Sequence, residues 1–529
     1  MPIYGNYQGA VREVTPIYGN NNGVTKALGF IYGNKDGVVT PIYQLSHINI
    51  PYWTYDVNKS TVTLKTYTGY TQAGIKDIVI DGSNNPNYGT VMGAISSIQR
   101  FVNSSYKYIN SFTSNNVRIQ NMCNMFRLCQ NMRTVNIPNE DAKYVDNMSC
   151  AYYNCYNLIG KPVCYPNTKD MGRTYVECRK LGGQPVCGDK VQSMYHTYYN
   201  CGNLTGNPVC GPNVQNMVNA YYNCIRLTGN PACGNSVINM ANAYSCCGNL
   251  TGSPVCGSNV KNMHSAYYNC IKLTGSPVCS DPVINMCNTY RGCINLTGNP
   301  VCGPNVTDMD FAYYNCINIT GKPVCGNNVK YMSSAYSRSG VSGQPVCGPN
   351  VQDMSYAYYD CDNLTGNPVC GDNVIDMQGA YKFSMGLTGS PVCGPNVIHM
   401  QSAYDQSRNI TGSPVCGDKV QNMYMTYYDC GKLTGSPVCG SSVVNMRMAY
   451  ARCSNLTGSP VCGPNVKDMN QAYDECKKLS GNVYIYSNNV VNVDNAFRNC
   501  PISNIYVHQG TTSWNTFVNS KYANKMIAF

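Results

Sequence analysis

The sequence is poor in charge, histidine and long apolar segments. Only 12% of its 529 residues are Asp, Glu, Lys or Arg, and it has 5 His and 2 Trp. That profile is unlike an ordinary enzyme, and no nucleophile elbow, phosphate-binding glycine loop or paired-carboxylate motif is visible. No apolar stretch reaches the roughly 18 residues of a membrane-spanning helix. The N-terminus, MPIYGNYQGA, lacks the basic and apolar regions of a secretory signal, so we expect no export by the usual route.

The positive charge is thinly spread. The formal net charge is +11, but no run of consecutive Lys or Arg occurs of the kind that grips nucleic acid or a membrane surface. We therefore expect neither a nucleic-acid partner nor a membrane span. Nor does the sequence suggest a cofactor.

What the sequence does have is a repeat of 23 residues. The clearest marker is a methionine that recurs almost always at that step, and Val493 takes its place in the last repeat. Around it the phrase reads Val-x-x-Met-x-x-Ala-Tyr-x-x-Cys-x-x-Leu-Thr-Gly-x-Pro-Val-Cys-Gly. The markers are Met122, Met148, Met171, Met194, Met217, Met240, Met263, Met286, Met309, Met332, Met354, Met377, Met400, Met423, Met446 and Met469. Such a period indicates a solenoid, in which each repeat is one coil.

Spacing within one repeat predicts its local structure. Met217, Ala220, Tyr221 and Cys224 stand at i, i+3, i+4 and i+7, which favours one face of a short helix. The Gly and Pro that follow end that helix, and "NPVCG" suits one short strand. A unit of this size cannot bury its own apolar face, so we expect the coils to stack. Stacking places Met217, Tyr221, Cys224, Leu227 and Cys210 in structural ladders along an α/β solenoid of about 17 coils, a rod on the order of 80 Å long.

One known family shares this pattern. The string NVTDMDFAYYNCINITG (305–321) resembles the leucine-rich repeats of BspA-like bacterial surface proteins, in particular the mycoplasma-lipoprotein type, and the resemblance covers about residues 117–505. It implies a leucine-rich-repeat fold. Residues 55–82 resemble the β-rich segment that leads into such arrays, and residues 504–522 resemble their closing segment. In place of the family's second strand aliphatic residue this chain has polar residues, which we expect to face outward: Lys161, Gln184, Asn207, Asn230 and Ser253.

The 32 cysteines allow three interpretations. Zinc binding is disfavoured because no Cys-x-x-Cys pair occurs and histidine is scarce. Disulfides within one repeat, for example Cys201 with Cys210, are a second possibility. Against them, Ser339, Ser384 and Ser407 replace one cysteine of the repeat while the other remains. We favour free thiols packed in ladders, in a protein that folds in a reducing compartment.

Two smaller motifs are set aside as products of the repeat. Asn203-Leu204-Thr205 and its copies match a glycosylation acceptor, but Leu204 belongs to the interior ladder. His196, His264 and His399 occupy variable positions in different repeats and form no catalytic pattern. We expect no catalytic, cofactor or metal residues.

The N-terminal segment repeats differently. PIYGNYQGAVREVT, PIYGNNNGVTKALG and FIYGNKDGVVT are tandem copies with a 14-residue step. A β-forming Ile-Tyr pair followed by Gly and Asn predicts strands and turns that gain order on a partner. The copies resemble the Tyr-Gly-rich repeats at the start of structural proteins of phages from low-GC bacteria. The candidate docking residues are Tyr4, Asn6, Tyr18, Asn20, Tyr32 and Asn34.

A second tyrosine follows the ladder tyrosine in many repeats. It is replaced elsewhere by Val, Ser, Arg, Lys or Asp, so we expect an exposed position that contacts a ligand or another subunit. Exposed tyrosines could stack on sugar rings; alternatively they shield the flanks of the coils or pack against a neighbouring subunit. The candidates are Tyr153, Tyr199, Tyr222, Tyr268, Tyr314, Tyr359 and Tyr428.

The sequence-based prediction has four segments: a docking segment (1–43), a β-rich cap (44–115), a leucine-rich-repeat solenoid (116–505) and a closing cap (506–529). We predict a non-enzymatic phage virion structural protein, a tail or head fibre or a capsid decoration protein. Its N-terminus would contact other virion proteins, its rod would serve adhesion to a host-surface glycan, and it would be present in multiple copies. The alternative is a BspA-like adhesin on the bacterial cell surface that binds glycan or host protein.

Overall fold

The computed structural model describes residues 30–35, 38–45, 53–56, 61–64, 77–81, 111–115, 119 and 121–529. The strands ahead of the repeats are β1 (Phe30–Lys35), β2 (Val38–Leu45), β3 (Trp53–Asp56), β4 (Thr61–Leu64), β5 (Asp77–Asp81) and β6 (Ser111–Asn115). Strand β7 (Thr134–Asn136) and helix α1 (Asn139–Ala142) follow Met122, the first marker methionine of the repeat. One sheet has the order β1-β2-β5-β6-β7, while β3 and β4 form a separate hairpin. The sheet is antiparallel up to β5 and parallel from β5 to β7, and Phe112 pairs with Val135. The β-rich lead-in therefore joins the first coil through parallel strands.

The chain divides into two compact units, Met1–Val260 and Lys261–Phe529, and both contain the same kind of coil. We number each coil from its methionine as position 0. Val at −3, Met at 0, Ala or Thr at +3, Tyr at +4, Cys or Ser at +7 and Leu, Ile or Val at +10 are buried in coil after coil; Met217, Tyr221, Cys224 and Leu227 all have no exposed surface. Within each unit the +4 tyrosine rings of successive coils stack at centroid distances of 5.0–5.6 Å. The prediction of a leucine-rich-repeat solenoid is confirmed.

The segment from 0 to +7 differs locally from the predicted short helix, because it is a run of turns. Ala220 N–H donates to Met217 O (2.9 Å), as a tight turn requires, but Asn219 and Asn223 have φ of 54° and 57°. That left-handed backbone cannot continue a helix. Alternate N–H groups point instead to the next coil: Asn219 N–H donates to Ala241 O and Tyr221 N–H to Ala243 O. Inter-coil hydrogen bonds thus replace those of a helix.

An Asx turn starts most of these runs. Asn216 Oδ1 accepts the N–H of Val218 (3.0 Å), and Asp353 Oδ1 accepts that of Ser355 (2.8 Å). Asn and Asp offer a side-chain oxygen at the length that this turn needs. This explains why position −1 is nearly always Asn or Asp.

In the middle coils the inter-coil β-bridge lies mainly at −1, as in Asn216↔Asn239, and not at the predicted "NPVCG" strand, which forms at Val461–Cys462 near the end of the array. The tyrosine hydroxyl gives the physical reason. Tyr221 Oη donates to Val209 O (2.6 Å) and accepts the N–H of Val209 (3.1 Å), so neither backbone group of Val209 is available for pairing between coils. The same pair of bonds recurs from Tyr175 to Tyr244 in the first unit and from Tyr290 to Tyr450 in the second. Lys161, Gln184, Asn207, Asn230 and Ser253 are exposed, as expected.

The second unit ends in a small parallel sheet. Strands β8 (Val461–Cys462), β9 (Val483–Ile485), β10 (Ile505–Val507) and β11 (Met526–Ala528) lie in the order β11-β10-β9-β8. Helix α2 (Thr512–Val518) and a 3-10 turn (Ala523–Lys525) connect β10 to β11, and Thr511 caps α2 by accepting the N–H of Trp514 (3.1 Å). In the described part of the chain every helix is too short to cross a lipid bilayer.

Candidate ligand-binding surfaces

The second tyrosine, at position +5, is half-buried in all seven candidate coils and not fully exposed. Its neighbours in the row explain this burial. The rings of Tyr199 and Tyr222 stack at 4.7 Å and 7°. One face of each ring is therefore covered by the adjacent coil of its own chain.

Where the neighbour in the row is a cation, the tyrosine packs against it. The Arg291 guanidinium lies 5.6 Å from the Tyr268 ring, 5.0 Å from Tyr314 and 4.9 Å from Phe311. A similar cation–π contact within the row joins Arg127 to Tyr153, while Arg338 and Arg452, one position later at +6, contact Tyr359 and Tyr428. The arrangement favours the interpretation that these tyrosines shield the flanks of the coils.

Further along the +5 row, carboxylates pair with cations. Arg498 contacts Asp474 at 2.6 Å, and Lys382 Nζ lies 2.9 Å from Asp405 Oδ2. The Asp405 side chain has no exposed surface; burial raises its pKa, and Lys382 opposes that rise. Within this row, therefore, charged groups pair with opposite charges, and rings pack against rings or cations, of the adjacent coil.

The cysteines form two rows with different surroundings. At +7 the thiols are buried, and most donate to the carbonyl of the ladder tyrosine in the preceding coil, as Cys224 Sγ does to Tyr198 O (3.0 Å). Ser384 and Ser407 keep this bond, to Tyr358 O and Tyr381 O. The position thus requires a small donor, and sulfur and oxygen both serve.

The second cysteine row follows the Pro-Val pair and is mostly half-buried. Cys187 Sγ accepts the N–H of Gly211 (3.3 Å), and Cys210 Sγ that of Gly234 (3.4 Å). Burial raises the pKa of the Cys187 thiol to about 12 and also raises that of Cys210. These thiols stay protonated at neutral pH, which suits packing and not nucleophilic chemistry. Among the described residues no group of three or more His, Cys, Asp or Glu is placed to hold a metal ion.

A different row, at −2, projects outward along the bridge ladder. Ile284 N–H donates to Lys261 O and Lys330 N–H to Thr307 O, so the backbone of this row is fully tied while its side chains face out. Aliphatic side chains here are unusually exposed: Ile284 by 47%, Ile375 by 42% and Val491 by 63%. This row is not among the contact positions that the sequence predicts. Its signal is the alternation of Ile or Val with Lys, Gln or Thr two residues before each methionine.

In the second unit the −2 row borders a groove of about 600 Å³. We call it the lysine–asparagine groove; its lining residues are Lys261, Pro282, Ile284, Asn305, Thr307, Asn328, Lys330 and Asn350. The three asparagines stand at −4, and each donates its side-chain N–H to a backbone carbonyl of the preceding coil at 2.8–3.1 Å. These amides are thereby fixed at one per coil along the groove.

The N-terminal candidates are only partly described. Tyr32 and Asn34 lie in β1, which pairs with β2, and β2 runs through the boundary predicted at residue 43. Tyr4, Asn6, Tyr18 and Asn20 lie outside the described residues. The third tandem copy therefore belongs, by its backbone pairing, to the sheet that leads into the coils.

No family model and no curated protein matches the chain. Among solved structures, a leucine-rich repeat protein from Bacteroides ovatus is 14% identical, with 91% of this chain and 99% of that one covered and a TM-score of 0.36. A leucine rich cell surface protein from Faecalibacterium prausnitzii is also 14% identical, with 90% and 95% covered and a TM-score of 0.23. In this chain itself, each unit stacks coils that have one parallel bridge and one inward Leu, Ile or Val, and that geometry is a leucine-rich-repeat solenoid.

Proposed function

We propose that this protein is a non-enzymatic binding protein, an adhesin of BspA-like type, that holds an extended partner along its −2 row. The supporting observation is the contrast between two rows. Side chains at +5 pack against one another, whereas Ile284, Ile375 and Val444 at −2 expose 47%, 42% and 38% of their surface. Exposed aliphatic side chains in a repeated row supply contact area for a partner.

A matched pair of variants tests this proposal. One replaces Ile284, Ile375 and Val444 by Glu; the control replaces Ile225, Ile271 and Ile317, which are 50%, 44% and 54% exposed at +8, in the same way. The labelled full chain is applied to a glycan array, to purified bacterial cell-wall polysaccharide and to epithelial cells. We expect at least a tenfold loss of binding for the −2 variant alone. Equal binding by both variants, or no binding by the unmodified chain, would contradict the proposal.

The tandem copies that precede the solenoid favour a second candidate, a structural protein of a phage particle. Three copies with a 14-residue step suit repeated attachment to a partner. Deletion of residues 1–29 keeps β1 and β2 and is expected to abolish incorporation into particles. Undiminished incorporation would remove this candidate.

A further inference from the structure

The lysine–asparagine groove has features of a ligand site that the rest of the −2 row does not share. Its eight lining residues come from five successive coils and include two lysines and no carboxylate. The nearby Asp308 is engaged in its own Asx turn, since Asp308 Oδ1 accepts the N–H of Asp310 (3.0 Å). The lining of the groove therefore carries two positive charges and no negative charge.

The lysines stand three coils apart, at either end of the row. Lys261 and Lys330 are exposed, and Ile284 and Thr307 lie between them in register. At one strand spacing per coil the two ammonium groups are separated by on the order of 15 Å. A ligand that neutralises both must be extended and must carry more than one negative charge.

Hydrogen bonding in the groove is periodic. Asn305, Asn328 and Asn350 each use one side-chain N–H on the preceding coil, which leaves the Oδ1 acceptor and the second N–H for a ligand. Paired donors and acceptors of this kind suit hydroxyl groups, which both donate and accept.

The repeat distance selects among extended polymers. Successive coils lie about 4.8 Å apart along the bridge ladder and 5.5–5.6 Å apart at the tyrosine rings, and the length of one sugar unit in an extended polysaccharide lies between these two spacings. An extended peptide presents equivalent side chains every two residues, about 6.6 Å, and falls out of step. Single-stranded nucleic acid is held by aromatic stacking, and the groove lining has no aromatic residue.

We infer that the lysine–asparagine groove binds an acidic polysaccharide, one sugar unit per coil. Lys261 and Lys330 would contact carboxylates, Asn305, Asn328 and Asn350 would contact hydroxyls, and Ile284 would lie against a ring face. This inference rests on the proposed binding function and names the ligand class of one part of the −2 row.

The test uses the full chain and uronic-acid oligosaccharides of increasing length, with neutral oligosaccharides of equal length beside them. Binding is measured by isothermal titration calorimetry at two salt concentrations. We expect affinity to rise until the oligosaccharide spans both lysines and to fall with salt. Lys261→Glu and Lys330→Glu should each weaken binding at least tenfold. Lys272→Glu, an exposed lysine outside the groove lining, should change it less than twofold.

A second pair of variants separates hydrogen bonding from charge. Asn328→Ala removes a groove amide, whereas Asn318→Ala removes an equivalent coil-to-coil bond, to Ile294 O (2.9 Å), outside the groove. Only the first should weaken binding, by threefold or more, while both should lower the melting temperature equally. Equal binding by the Lys261→Glu/Lys330→Glu double variant, or competition by single-stranded DNA with the same lysine dependence, would overturn the inference. If cells or neutral glycans bind through the −2 row while uronic-acid chains do not, the ligand class is wrong and the proposed function stands.

Discussion

The middle coils and the terminal coils provide hydrogen-bond partners for the same backbone groups in two different ways. In the coil of Tyr313 the buried hydroxyl pairs with both backbone groups of Val301, and no ladder strand forms there. The terminal coils carry Phe126 and Phe497 in the ladder. Twelve residues before those rings lie Ser114 in β6 and Ile485 in β9, and both strands pair in parallel with their neighbours. Where the hydroxyl is missing, the backbone pairs with a neighbouring strand instead.

Tyr473 lies between these two cases. Its hydroxyl is 3.4 Å from Val461 O, longer than in the middle coils, and Val461 belongs to β8. The tyrosine hydroxyl is thus a substitute for β-pairing, and the terminal strands show what the coil does without it.

Alkaline pH should break the middle coils completely. Burial raises the pKa of Tyr313 well above 10.0 and that of Cys316 well above 9.0, and it raises the pKa of Cys325 to about 12. Above pH 9 the unfolded chain releases protons that the folded chain retains. Stability is therefore full below pH 9 and falls by about 1.4 kcal/mol per pH unit for each such group.

Circular dichroism and tyrosinate absorbance against pH, with reductant present, measure this loss. Hydrogen exchange should rise in the middle coils and also near β8, where burial raises the pKa of Cys462 and Tyr473 in the same way. A folded state that keeps its full stability at pH 11 would contradict the explanation.

Tyr313→Phe should give the largest effect of a single substitution. It leaves the N–H and the carbonyl of the half-buried Val301 without the partner that the buried hydroxyl supplies, at a cost of about 2–4 kcal/mol. Urea unfolding measures the change. Tyr314→Phe, in the half-buried +5 row, is the matched control and should cost less than about 0.5 kcal/mol. Equal costs would show that the hydroxyl bond is unimportant.

Cys316→Ala should cost about 1–2 kcal/mol, because it removes the thiol's bond to Tyr290 O (3.0 Å) and leaves a small cavity. That carbonyl also accepts the N–H of Cys293, so it keeps one partner. Cys316→Ser preserves the donor, as Ser384 does, and should cost less than half as much by the same unfolding measurement. A serine variant that is as unstable as the alanine variant would refute the donor role.

Arg291→Ala should have a smaller effect than Cys316→Ala, about 1 kcal/mol, because it removes the cation–π contacts of the guanidinium with three rings. Arg127→Ala, in the terminal coil of Phe126, removes a contact with the single ring of Tyr153 and should cost about 0.5 kcal/mol. Thermal unfolding of both variants compares the loss of stability in a middle coil with that in a terminal coil. A larger loss for Arg127→Ala would reverse the expected order.

Much of the interior could be predicted from spacing alone. Met217, Tyr221, Cys224 and Leu227 recur at fixed steps, and a position that stays apolar in every repeat must face the core. The same spacing could not distinguish a helix from a run of turns, since both return to one face after three or four residues. Asn at +2 or +6 in some coils, such as Asn219 and Asn223, is a partial signal, because Asn tolerates the left-handed region better than most residues; Phe311 and Met425 adopt the same backbone without it.

The candidate surfaces were harder to predict. The variety of residues at +5 suggested that this position is exposed. Arg291 stands there because it packs against Tyr268 and Tyr314 of the adjacent coils, and the sequence does not show which side chains are in contact. The groove depends on the −2 and −4 rows lying side by side, which only the path of the coil determines. Asn328 and Lys330 are two residues apart in the chain and gained significance once their copies in adjacent coils were aligned.

The asparagine ladders carry a further consequence. Stacked identical amides and an open row of backbone donors are what allow a fibril to add chains without limit. In the described C-terminal region that growth surface is occupied by β10 and β11 and by α2, whose sequence leaves the repeat. The closing segment thus covers the end of the stack and prevents the addition of further chains. Its removal should expose that end and cause the protein to aggregate through it.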